Sequence, residues 1–204
     1  MTIDFKDLFL QQLSQTDLIQ WLILILGVWE VFLAKANNIL LYPTGIGATL
    51  LSVAVLFKAQ LFAESLLNLY YLVMSIYGWW FWISRKDKPV VKITYATRRD
   101  WLVTAFIVIG GSLTLYFILK EFTPSTVPVW DAWVSATAWA GMWLLARRKI
   151  ENWILLNISN AFAIPLLFNK ELPLFGLLTL FLFIVACFGY VQWITIFRKE
   201  NSFQ

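Results

Sequence analysis

The chain reads as an all-α membrane protein: seven transmembrane helices in a 3+1+3 arrangement, two parallel three-helix repeats joined by a linker helix. Three observations predict this. The composition is 60% hydrophobic and 14% charged, with a mean hydropathy of +0.72, whereas a soluble domain carries roughly 25% charged residues. Seven apolar segments separate at charged or polar joints. The first three of these segments match the last three at a constant offset of 111 residues.

A bilayer crossing takes about 20 mostly apolar residues, so a chain of 204 residues can hold seven or eight spans joined by short loops, with little left for a soluble domain. The spans are expected at Leu18 to Leu33, Ile39 to Phe57, Leu61 to Ile83, Trp101 to Leu119, Trp130 to Leu145, Trp153 to Phe168 and Leu172 to Phe197. The first repeat then covers 18–83, the linker helix 101–119 and the second repeat 130–197. One long basic loop, "SRKDKPVVKITYATRRD" at 84–100, is expected in the cytoplasm. The amino-terminal "MTIDFKDLFLQQLSQTD" has acidic residues and lacks a basic region followed by a small-residue cleavage site, so it does not read as a signal peptide.

Orientation follows from lysine and arginine. One side of the membrane receives Lys6, Lys58, Lys120 and Lys170; the other receives the remaining twelve of the sixteen, in the joints after the first, third, fifth and seventh spans. Positive charge concentrates on the cytoplasmic side, which places the amino terminus outside and the carboxyl terminus inside.

The repeat pairs Phe57 and Leu61 with Phe168 and Leu172, and Gly78, Trp82 and Ile83 with Gly189, Trp193 and Ile194. Loop charge matches too: Lys35 corresponds to the cluster Arg147 to Lys149, and the lone Lys58 to the lone Lys170. A unit of three crossings followed directly by its copy would be inverted. The extra fourth span makes both copies parallel, related by an axis along the membrane normal.

The second span carries "YPTGIGATLLS", where Pro43, Gly45 and Gly47 suit either a hinge or a close helix crossing. In the third span, at 100° per residue, Glu64, Asn68, Tyr71, Ser75, Gly78 and Trp82 fall on one line. Polar groups facing lipid are costly, so this stripe faces protein or a cavity. In the fifth span Ser135, Trp139 and Trp143 share a broad face; in the sixth, Trp153, Asn157 and Asn160 share another, followed by Pro165. Carboxamides bind hydroxyl groups, and indole faces stack on flat rings and attract cations. The ligand implied is a small, neutral or singly cationic molecule with a flat ring and hydroxyls, such as a nucleoside or ring-bearing vitamin. Interfacial anchoring accounts for Trp21, Trp101 and Trp130.

Absences narrow the chemistry. There is no histidine and a single cysteine, Cys187, so no catalytic residue, metal site or cofactor is expected. No G-x-x-x-x-G-K-[ST] loop occurs, and the net charge of +4 belongs to loop topology rather than to nucleic-acid binding. The acids in or near spans, Glu30, Glu64, Asp131 and Glu151, have no basic partner at mid-membrane in the sequence pattern, so an ion relay is not evident. Facilitated diffusion is the simplest mechanism. The other class left open is a non-transporting assembly factor or receptor that uses the stripe to bind partner helices.

The motifs "ESLLNLYYLVMSIYGWWFW", ending in Tyr77, Gly78, Trp79 and Trp82, and "WDAW…LLARRKIENW" from Trp130 to Trp153 resemble the PnuC family of bacterial vitamin transporters. The likeness covers nearly all of Ile23 to Arg198, and the family's 3+1+3 repeat is SWEET-like. The resemblance implies a multi-pass bacterial inner-membrane importer of nicotinamide riboside, feeding NAD biosynthesis, with thiamine, riboflavin or deoxynucleosides as the substrates of close relatives. It implies a site between the two bundles that uses Asn68, Tyr71 and Trp79 with Trp143, Asn157 and Asn160. It also implies trapping of substrate by a cytoplasmic kinase and, for some members, a homotrimer. The sixth span reads "WILLNISNAF", with Leu156 and Asn157 where an acidic or amide pair is expected, which leaves the choice of substrate open.

Overall fold

The computed structural model describes residues 5–58, 62–84, 92–123 and 125–202, with the backbone only at 5, 62–64 and 66. The side chain of Glu64, residues 59–61 including Leu61 of the repeat, and 85–91 of the basic loop therefore lie outside the described residues. Among the described residues eight helices form: α1 (Phe5–Gln15), α2 (Leu18–Lys35), α3 (Leu41–Lys58), α4 (Phe62–Ile83), α5 (Arg98–Phe122), α6 (Pro128–Ala146), α7 (Asn152–Asn169) and α8 (Pro173–Ser202).

Helices α2 to α8 sit on the seven expected segments, mostly extended by one to five residues. The additional helix is α1. It is too short to span, and Gln12 ties it to the other end of the chain, its Nε2 donating to the Glu171 carbonyl at 2.7 Å and its Oε1 accepting from the Leu174 N–H at 3.0 Å. Among the described residues four helices, α2, α3, α5 and α8, are long and apolar enough to cross a membrane, against the seven spans expected. The other three, α4, α6 and α7, carry Asn68, Asn152, Asn157, Asn160 and Asn169 and eight of the twelve tryptophans.

Local chemistry sets several boundaries. Asp17 and Gln20 form a capping box that starts α2, and Thr97 and Asp100 form one that starts α5, each satisfying two otherwise orphaned N–H groups. Pro128 occupies the first turn of α6, where no N–H is needed. Asn37 and Arg148 take left-handed backbone at φ 54° and 55° and turn the chain from α2 into α3 and from α6 into α7.

Packing follows two runs. Helices α2, α3 and α4 pack consecutively, as do α6, α7 and α8; the runs touch through α2 against α8 and α4 against α6, while α5 lies mainly on α6. Positions 111 residues apart make matching contacts. The Tyr42 ring lies against Gly78 and meets Trp82 edge-on at 5.2 Å; Trp153 lies against Gly189 and meets Trp193 edge-on at 5.7 Å. Glycine is required there because a Cβ at either position would strike the ring.

The basic end is tightly knit. Trp193 donates from Nε1 to the Ala34 carbonyl at 3.0 Å. Ahead of α5, Thr94 pairs with the α6–α7 turn, its N–H reaching the Arg148 carbonyl and its carbonyl accepting from Ile150. The Glu151 carboxylate accepts from the Ala96 N–H at 2.9 Å, and Asp100 bridges to Arg147 at 3.2 Å and Lys149 at 3.4 Å.

Candidate functional site

Six helices surround a cavity of about 250 Å³. Glu30, Val31 and Ala34 come from α2, Thr49 from α3, Tyr71 and Ser75 from α4, Met142 and Leu145 from α6, Trp153, Leu156 and Asn160 from α7, and Leu182 and Ala186 from α8. Both runs of helices thus contribute to one wall. Mostly apolar surface with a few convergent polar groups is the usual makeup of a small-molecule site.

Among the described residues, two on this wall hold a buried polar atom without a partner. Ser75 is buried, and its Oγ has no hydrogen-bond partner among the described residues; the same holds for Nε1 of the buried Trp153. Buried polar atoms are normally paired, so hydroxyl or carbonyl groups of a bound molecule would satisfy them. Thr49 is instead satisfied within α3, its hydroxyl donating to the Gly45 carbonyl at 2.7 Å.

The cavity brings together Tyr71, Ser75 and Asn160 of the residues expected from sequence. The others lie elsewhere in this conformation. Asn157 lines a separate pocket of about 510 Å³ between α7 and α8, where its Nδ2 donates to the Cys187 sulfur at 3.4 Å. Trp139 stacks on Tyr70 at 4.4 Å, and the Tyr70 hydroxyl donates to the Trp139 carbonyl. Trp143 stacks on Tyr77 at 6.0 Å, under the Arg147 guanidinium. These two tryptophans therefore join α6 to α4. Trp79 is exposed on the outside of α4. Trp82 packs between Tyr42 and Arg148. Asn68 is partly buried but away from the cavity wall.

Sequence reasoning missed Glu30 as a wall residue, although a single acid inside the apolar run of α2 was its signal. Met142 and Thr49 had none, since nothing distinguishes them from ordinary packing residues. Below the cavity, at the end nearest Ala34 and Leu145, Arg148 is buried, donates to Asn37 Oδ1 and covers the Trp82 ring at 4.1 Å. Burial pulls its pKa down to about 10, so it keeps its charge at neutral pH.

Two larger pockets lie apart from this cavity. One of about 500 Å³ is a mostly apolar groove beside Trp130, Trp133 and Phe162; another, of about 530 Å³, surrounds the Asp131–Lys170 ion pair. The first is lined by α6, α7 and the segment before α6 alone; the second takes Leu67 from α4 together with Ser135 of α6 and Asn169 of α7, but only the six-helix cavity draws on all of α2, α3, α4, α6, α7 and α8.

The family model for the nicotinamide mononucleotide transporter matches residues 17–195. The chain belongs to that transporter family. Its members are transporters rather than enzymes, and the chain is a multi-pass membrane transporter. Over 87% of this chain and 85% of the relative, it is 24% identical to the nicotinamide riboside transporter PnuC of Escherichia coli (strain K12), and equally to that of Shigella flexneri. The crystal structure of the vitamin B3 transporter PnuC shares the fold, with a TM-score of 0.69 at 21% identity, over 96% of this chain and 88% of that one.

Proposed function

We propose that the chain carries nicotinamide riboside across a bacterial inner membrane by facilitated diffusion, alternating access to the six-helix cavity. The observation that supports this most is the cavity itself: walls from both helix runs, free polar groups at Ser75 and Trp153, and the carboxamide of Asn160. Carboxamide and hydroxyl groups suit a ribose, and the rings of Tyr71 and Trp153 suit a flat heterocycle. The names of the relatives favour this substrate over thiamine, riboflavin or deoxynucleosides.

In this reading α2–α4 and α6–α8 are the two parallel repeats of a seven-span, SWEET-like 3+1+3 fold, and α5 is the linker helix. The matched contacts of Tyr42 with Gly78 and Trp153 with Gly189 support it. The lysine and arginine bias supports an outside amino terminus and a cytoplasmic carboxyl terminus. The contacts from Trp193 to Ala34 and Arg148 to Asn37 then form a closed cytoplasmic gate, and rocking one repeat against the other opens it. A cytoplasmic kinase that phosphorylates the arriving substrate supplies the direction of net flow. Assembly as a homotrimer completes the proposal.

A thermal-shift screen of the purified protein tests the choice of substrate, because a ligand that binds the folded state raises apparent stability by mass action. Nicotinamide riboside should raise the transition more than thiamine, riboflavin, deoxynucleosides or nicotinamide mononucleotide at equal concentration. A larger shift with one of the others would transfer the assignment to it; no shift with any would favour the assembly-factor reading.

A further inference from the structure

Glu30 is the one charged side chain on the cavity wall, and no lysine or arginine lines that wall with it. Among the described residues it makes neither a hydrogen bond nor a salt bridge. Its carboxylate lies flat over Gly45, where an added Cβ would collide with it. At the offset of 111 residues the same crossing is built the other way round: Gly141 takes the place of Glu30, and Leu156 takes the place of Gly45 and fills the space over Gly141. Hydrocarbon therefore meets the packing need at the matching crossing. Packing does not explain why α2 presents a carboxylate here, and an unpaired charge inside a membrane is costly enough that such residues commonly serve as ligand counter-ions.

Resting on the transport reading above, we propose that Glu30 is the cavity's counter-ion for a positively charged ring on the substrate. It selects the cationic pyridinium nucleoside over its uncharged reduced form, and it disfavours the phosphorylated nucleotide, whose anionic group would find no basic partner on this wall. Gly45 serves as the floor that lets the carboxylate lie at the cavity edge.

The test is titration calorimetry of the purified full-length protein with nicotinamide riboside and with its uncharged dihydro form. Wild-type protein should prefer the cationic form. Glu30→Gln keeps shape and removes charge; it should weaken the cationic ligand by about tenfold or more, as expected for losing a charge-assisted contact, and leave the dihydro form within about twofold. Glu30→Asp keeps the charge and should keep the preference, which also covers the case in which Glu30→Gln fails to fold. Unchanged affinity for the cationic form in Glu30→Gln, an equal loss for both forms in folded protein, or loss of preference in Glu30→Asp would overturn the counter-ion role while leaving the transport reading intact. Wild-type protein that binds neither form would overturn both.

Discussion

Asn37 and Arg148 stand 111 residues apart, share the same left-handed backbone and are hydrogen-bonded to each other, Arg148 Nη2 donating to Asn37 Oδ1. The turns that follow α2 and α6 thus meet at one point. The guanidinium is also stacked over Trp82, so a single side chain from one run holds a turn and a ring of the other.

Removing that contact should loosen the basic end. Arg148→Ala loses a charge-assisted hydrogen bond and a cation–π contact, together about 2 to 4 kcal/mol, and should lower the thermal midpoint in detergent. Arg148→Lys keeps the charge but not the planar fork, and should recover less than half of the loss. Equal stability of wild type and Arg148→Ala would mean that the contact is idle.

The glycines under the rings give a sharper steric test. At Gly189 a Cβ would lie 2.8 Å from the buried Trp153 ring, whereas at Gly110 nothing lies within 4 Å. Gly189→Ala should therefore destabilise by about 1 to 3 kcal/mol, while Gly110→Ala, free of any clash and better suited to a helix, should be neutral or slightly stabilising. The comparison of midpoints within one preparation checks both.

Ser75 and Asn160 supply polar atoms to the cavity without holding the fold together. Ser75→Ala is expected to weaken nicotinamide riboside binding by roughly five- to tenfold, the worth of one hydrogen bond, with the thermal midpoint of unliganded protein unchanged. Asn160→Leu should cost at least as much. Calorimetric affinities that match wild type would remove these residues from the site.

Much of this was legible in the chain. The seven apolar segments became α2 to α8 because long apolar runs satisfy their backbone groups as helices, and Gly78 with Trp82 and Gly189 with Trp193 marked the repeated contacts because a large ring needs a missing side chain opposite it. The stripe on α4 placed Tyr71 and Ser75 on the cavity, since a 3.6-residue period keeps neighbours three and four apart on one face. The period cannot say how wide that face opens. Trp82, at the same angle, meets Tyr42 of its own run and is covered by Arg148 of the other, because the runs close together at the basic end. Trp139 and Trp143 carry the same ambiguity: aromatic residues on an inner face stack on a neighbouring helix as readily as on a ligand, and here Tyr70 and Tyr77 are those neighbours. Helix α1 was hidden because its eleven residues bury too little apolar surface to register as a span.

Coupling is a separate expectation. No described acid in the cavity pairs with a base, and Glu30 is assigned to the substrate. Collapsing the proton and sodium gradients across proteoliposomes should leave the initial uptake rate unchanged. A severalfold fall would require an ion site.

The most direct measurement is uptake of radiolabelled nicotinamide riboside into liposomes that contain only this protein. Saturable uptake that runs down the concentration gradient, stops at equal concentrations on both sides, and continues when a nicotinamide riboside kinase and ATP are enclosed is the predicted result. Uptake equal to that of empty liposomes at every concentration, with protein shown to be folded and inserted, would contradict the account.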